Sequence, residues 1–130
     1  MHEDAAGTQT DLPATRPALH LTTRSGWIND PMGLTYHAGR YHMFFQYVPE
    51  KILWGPQCWW GHAVSEDLLT WTECEPILQP GDGDGGCWSG SLAVDDAGRA
   101  TIFYTSVQLD DLDLGHIRTA QPDDLRWDTW

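Results

Sequence analysis

The sequence predicts an all-β chain built from repeated antiparallel units of the β-propeller type. Three observations predict it. Stretches rich in aromatic and β-branched side chains recur between glycine turns, as in Tyr41-His42-Met43-Phe44-Phe45-Gln46-Tyr47-Val48. Ala38-Gly39-Arg40 returns 59 residues later as Ala97-Gly98-Arg99, and at the same offset Phe44 answers Phe103, Phe45 answers Tyr104 and Val48 answers Val107. No segment carries the apolar period of a long amphipathic helix. Repeated four-stranded units stack into propellers; an open β-meander is the alternative that the same pattern allows.

Taken in order, residues 1–15 are polar and acidic and read as a flexible N-terminal arm, with order beginning at residue 16 and Pro17 favouring an extended entry. The organising stretch follows: Trp27-Ile28-Asn29-Asp30-Pro31-Met32-Gly33. Pro31 fixes its own φ and pushes Asp30 out of the helical region, and Gly33 permits a tight turn. The chain should bend just after Asp30 and aim that carboxylate at one point; a solvent-facing Asx turn is the plainer alternative. Residues 34–37 are a short strand, 38–40 a turn and 41–48 a strand covered on both faces, ended by Pro49. Gln46 shares a face with His42, Phe44 and Val48, so its amide needs partners, from the protein or from a ligand.

Residues 50–57 form a loop holding Trp54, and 59–65 the next strand. Ser65 caps a helical turn that Trp71 closes. The Gly-Asp tract 81–86 reads as a flexible loop. Residues 88–95 and 100–107 are strands, 108–113 an acidic loop, 114–120 a strand, and 122–130 a turn anchored by Leu125 and Trp127.

Composition bounds the function. Seven Lys and Arg against 19 Asp and Glu give a formal charge of −12, which repels phosphate backbones and anionic lipid. A small neutral saccharide or polyol is compatible with this balance, whereas nucleic acid and an anionic membrane are not expected as partners; oligomeric state is left open. Eight Trp suit sugar platforms as well as core packing, and about half are expected in each role. Cys58, Cys74 and Cys87 are an odd number with no paired knuckle spacing, so buried thiols are expected and no metal site is assigned. His62 is expected to be a packed, hydrogen-bonded histidine. Without a cationic, apolar leader at Met1, a cytoplasmic location is the expectation.

Several ordered motifs together resemble the N-terminal part of glycoside hydrolase family 32, the β-fructofuranosidase, invertase, inulinase and levanase group. They are Trp27 to Gly33, Phe45-Gln46-Tyr47-Val48-Pro49, Trp54-Gly55, Trp60-Gly61-His62-Ala63-Val64-Ser65 with Asp67-Leu68 and Trp71, and Trp88-Ser89-Gly90-Ser91. The resemblance implies a five-bladed β-propeller, of which this chain supplies the first blade and part of the second, and makes residues 16–130 the N-terminal portion of that domain. It implies hydrolysis of the fructosyl bond of sucrose or fructans with retention, which needs no metal or organic cofactor. Asp30 stands where the family has its catalytic nucleophile. Asn29 and Gln46 stand at positions that hold sugar hydroxyls, Trp54 at the pocket wall, Trp88 and Ser89 at the pair that closes the sugar site, and Trp27 at its rim.

The chain also departs from the family pattern. Met32 and Val48 stand where the family usually or often has Asn, and the segment between Trp54-Gly55 and Trp60-Gly61 is one residue longer than a common version. The Arg-Asp-Pro and Glu-Cys motifs that would supply a sugar-stabilising Asp and the general acid/base do not occur; Glu66, Glu73 and Glu75 lie in other contexts. The expectation is a truncated or fragmentary product, inactive alone, because a lost general acid forfeits roughly 10²–10⁴ in rate. A noncatalytic sugar-binding β-module is the alternative.

Overall fold

A computed structural model describes residues 19–130; the expected arm at 1–15 and the entry at Pro17 lie outside the described residues. Two antiparallel sheets form. The first contains β1 (Trp27–His37), β2 (Arg40–Val48), β3 (Trp59–Ser65) and β4 (Thr72–Glu73) in that order, and the second β5 (Gly86–Val94), β6 (Ala100–Gln108) and β7 (Asp111–Ala120). This is the repeated unit that the Gly turns mark, and it is all-β as expected. The β1–β2 hairpin turns on Ala38 and Gly39, both at positive φ (50° and 86°), the combination that matches strand twist in a two-residue turn.

Side-chain alternation decides what each face covers. Phe44 and Trp60 from the first sheet, with Met32, pack against Cys87, Ile102 and Tyr104 from the second, and Ile77 completes this core. Phe45, Tyr47 and Ala63 point to the other face of the first sheet, where Leu21, Ile28, Trp59 and Trp71 cover them. The repeat offset pairs Phe44 with Phe103, yet Phe44 is fully buried and Phe103 is 41% exposed. Phe44 faces the second sheet, whereas Phe103, one step from Tyr104, faces away from the first.

Several local expectations are corrected. The short strand at 34–37 is the end of an eleven-residue β1 that runs through the Asn-Asp-Pro stretch. Residues 66–71 contain no helix; the Asp67 carboxylate accepts from the Leu69 and Thr70 amides, and Ser65 Oγ from those of Asp67 and Leu68. The Gly-Asp tract is tied down: Gly81 and Asp84 exchange backbone hydrogen bonds, and Asp84 accepts from Tyr104 Oη (2.9 Å) and pairs with Arg118 (3.0 Å). The acidic loop at 108–113 is a tight turn between Gln108 and Asp111, because β7 is solvent-facing almost throughout and its polarity imitates a loop. Leu125 is 91% exposed, so its side chain is no anchor, although its carbonyl bonds His37 Nε2 at 2.8 Å, while Trp127 is 1% exposed and stacks on His37 at 3.8 Å between ring centroids. Cys58 and Cys87 are buried free thiols; Cys74 is half-buried.

Candidate active site

The site forms where the two sheets meet, and each sheet contributes a bulge. In β1 the register steps from Asn29↔Gln46 to Pro31↔Phe45, which leaves Asp30 as the extra residue. In β5 it steps from Trp88↔Thr105 to Gly90↔Tyr104, which leaves Ser89. An unpaired bulge residue is turned out of the ladder and re-aims its side chain. Asp30 sits at φ 45°, a left-handed conformation. The residue before proline is expected to be extended, so this corrects the bend inferred from sequence: the turn is a bulge inside a strand. Aspartate tolerates that region better than most residues, and such strain, on the order of 1–3 kcal/mol, collects at functional positions.

The two bulges touch. Ser89 Oγ donates to Asp30 Oδ2 at 2.8 Å. This bond first, then one from the Asn29 side chain, holds the Asp30 carboxyl below its ordinary value of 3.8, against a small opposing effect of burial. Trp27 Nε1 donates to Asn29 Oδ1 at 2.8 Å, which occupies that oxygen and leaves the Asn29 NH₂ for Asp30. Trp27 therefore acts through Asn29.

Asn29, Asp30, Gln46, Trp54, Trp88, Ser89 and Thr105 line one cavity of about 200 Å³. Every residue expected at the site except Trp27 is in this lining. Gln46 is 3% exposed and its Nε2 donates to the Cys87 carbonyl at 2.9 Å. Part of its amide is thus committed to joining the sheets, and Oε1 remains for a ligand. Trp54 and Trp88 meet edge to face at 6.0 Å, and Trp88 Nε1 donates to the Pro56 carbonyl at 2.8 Å. Trp60 Nε1 donates to the Trp88 carbonyl at 3.0 Å, so a buried core indole supports the wall indole.

Thr105 is the lining residue that sequence reasoning missed. The signal was present: Thr105 lies at the repeat offset from Gln46 and faces Trp88 as Gln46 faces Asn29. No glutamate lines the cavity. Glu66 belongs to a cleft at the far end of β2, and Glu73 pairs with Arg24 at 3.4 Å. The larger clefts, of about 430 and 460 Å³, lie at the Arg40 and His37 ends of the strands. His62 is fully buried, hydrogen-bonded to His42 at 3.0 Å and stacked on Phe44, a structural histidine as expected.

The pattern of the glycosyl hydrolases family 32 N-terminal domain matches residues 20–124. The chain belongs to glycosyl hydrolase family 32. It is 44% identical over 108 residues to a sucrose-6-phosphate hydrolase of Zymomonas mobilis, covering 81% of this chain and 21% of that one. It is 50% identical over 80 residues to a levanase of Bacillus subtilis, covering 62% and 12%. Among solved structures, fructan 1-exohydrolase IIa from Cichorium intybus superposes with a TM-score of 0.80 at 32% identity, covering 88% of this chain and 22% of that one. A β-fructofuranosidase of Schwanniomyces occidentalis solved with fructose superposes with a TM-score of 0.74 at 34% identity, covering 88% and 25%. The two sheets are thus successive blades of the family 32 five-bladed propeller, and the chain spans about a fifth to a quarter of the length of these structures.

Proposed function

We propose that residues 16–130 are the N-terminal portion of a retaining β-fructofuranosidase propeller domain, with Asp30 as the nucleophile. The observation that carries this reading is the Ser89–Asp30 hydrogen bond at 2.8 Å. It joins two motifs that are 59 residues apart and orients a solvent-facing carboxylate, whose ionised form it favours, inside an indole-walled cavity. An ionised carboxylate is what attack on an anomeric carbon requires. The fructosyl ring would lie on the Trp54 and Trp88 edges, with its hydroxyls on Asn29, Gln46 Oε1 and Ser89. The oxocarbenium-like transition state would develop its charge beside Asp30.

A retaining glycosidase also needs a carboxylic acid about 5 Å from the nucleophile to protonate the leaving group. The cavity offers Asp30 alone among the described residues, so the 130-residue chain binds a saccharide without cleaving it. Relatives whose structures hold fructose or fructosylnystose support a fructosyl ligand. The test is an NMR titration of the chain with fructose and sucrose, with glucose as the control, and a parallel assay for released fructose. Fructose-containing ligands should shift the Trp54 and Trp88 indole and Ser89 amide signals, with no product. Shifts confined to other surfaces would sink the binding site, and sucrose hydrolysis that survives Asp30→Asn would sink the nucleophile assignment.

A further inference from the structure

Met32 lies two residues beyond Asp30 and has no place in the chemistry just described. It is 8% exposed and belongs to the apolar core between the sheets. Its sulfur does something that a hydrocarbon would not: the Gly90 backbone N–H donates to Met32 Sδ at 3.4 Å. Gly90 follows Ser89 at the β5 bulge, where the ladder is interrupted. A Cβ at Gly90 would lie 1.9 Å from the Phe103 carbonyl oxygen, so this strand passes close to its neighbour, and at this irregular point of the ladder the amide reaches an acceptor outside its own sheet. The long, unbranched thioether supplies one from the other sheet.

We propose that Met32 is a positioning residue that locks the two bulges together, so that Ser89 stays on the Asp30 carboxylate. Two parallel links cross the seam. Asp30 takes Ser89, and two residues further along β1 Met32 takes Gly90. One link alone is a hinge about a flexible serine rotamer; the second fixes the backbone from which that rotamer projects. The mechanistic consequence rests on Asp30 being the reacting carboxylate, but the clamp itself is a statement about two hydrogen bonds.

The experiment reads those bonds rather than turnover. Met32→Leu conserves volume and apolarity and removes the acceptor, a swap that cores tolerate well. In the variant, Gly90 amide exchange should accelerate on the order of five-fold, the factor carried by a bond of about 1 kcal/mol. The Asp30 carboxyl titration should move up toward its ordinary value. Ser89→Ala should raise the same titration, and adding Met32→Leu to Ser89→Ala should raise it no further. Met32→Gln, which restores an acceptor at similar reach, should return Gly90 protection and the Asp30 titration toward the parent. If Met32→Leu leaves Gly90 exchange and the Asp30 titration unchanged, or if its effect on Asp30 persists in full without Ser89, the clamp does not exist. Unchanged saccharide shifts at Trp54 in a chain that has lost the clamp would leave the proposed sugar site standing, so the two readings fail separately.

Discussion

Trp60→Phe tests whether the seam between the sheets supports the site. Trp60 is fully buried, packs in the shared core and donates through Nε1 to the Trp88 carbonyl at 3.0 Å. Phenylalanine keeps the six-membered ring but removes the donor and part of the volume. A carbonyl stranded out of water costs about 1–3 kcal/mol, and the lost apolar contact and small void add about 1 kcal/mol. The variant should therefore be about 2–4 kcal/mol less stable. Urea unfolding followed by far-UV circular dichroism measures this as a fall in midpoint at constant slope. Because the stranded carbonyl belongs to Trp88, the Trp54 and Trp88 indole signals should also move. A loss under about 1 kcal/mol with those signals in place would refute the reasoning, since water or a neighbour would then be satisfying the carbonyl and the wall would not depend on the core.

Three further predictions follow from the same geometry. Burial holds the imidazoles of His42 and His62 below their ordinary 6.5, with Arg40 and His37 acting in the same direction on His42 and Asp128 opposing. The unfolded chain then takes up protons that the native state refuses, so stability should fall as pH drops below about 6.5. Between pH 6.5 and about 5.5, above most carboxylate titration, His62→Gln should flatten that slope in urea titrations; an unchanged slope would exonerate the pair. Trp127→Ala should cost about 3–5 kcal/mol, because the ring is 1% exposed and stacks on His37; a near-wild-type melt would show that the C-terminal segment docks without it. Gly90→Ala should destabilise strongly and erase the Ser89–Asp30 contact, because its Cβ would meet a backbone oxygen at 1.9 Å, and an unperturbed Asp30 titration would contradict this.

Much of the fold was legible in the sequence, because strand alternation and glycine turns are local properties. Residues 59–65 are the strand expected, the hairpin turns at Gly39, and Asp30, Asn29, Gln46, Trp54, Trp88 and Ser89, from separate motifs, line one cavity. Length and polarity misled where local composition is ambiguous. The solvent-facing β7 resembles a loop, and the glycine-rich tract looks free until Asp84 is seen to hold Tyr104 and Arg118.

The sequence by itself determined which residues could form strands, where those strands reverse, and that a carboxylate is singled out before Pro31. Only the tertiary structure decided that Asp30 is a left-handed bulge residue, that it meets a second bulge at Ser89, and that Gln46 gives part of its amide to Cys87. It also decided that Phe44 is core while its repeat partner Phe103 is surface. The physical reason is common to all of these. A residue's backbone tendency is set by its own atoms and neighbours in the chain, whereas its partners and its burial are set by the face that another sheet brings against it.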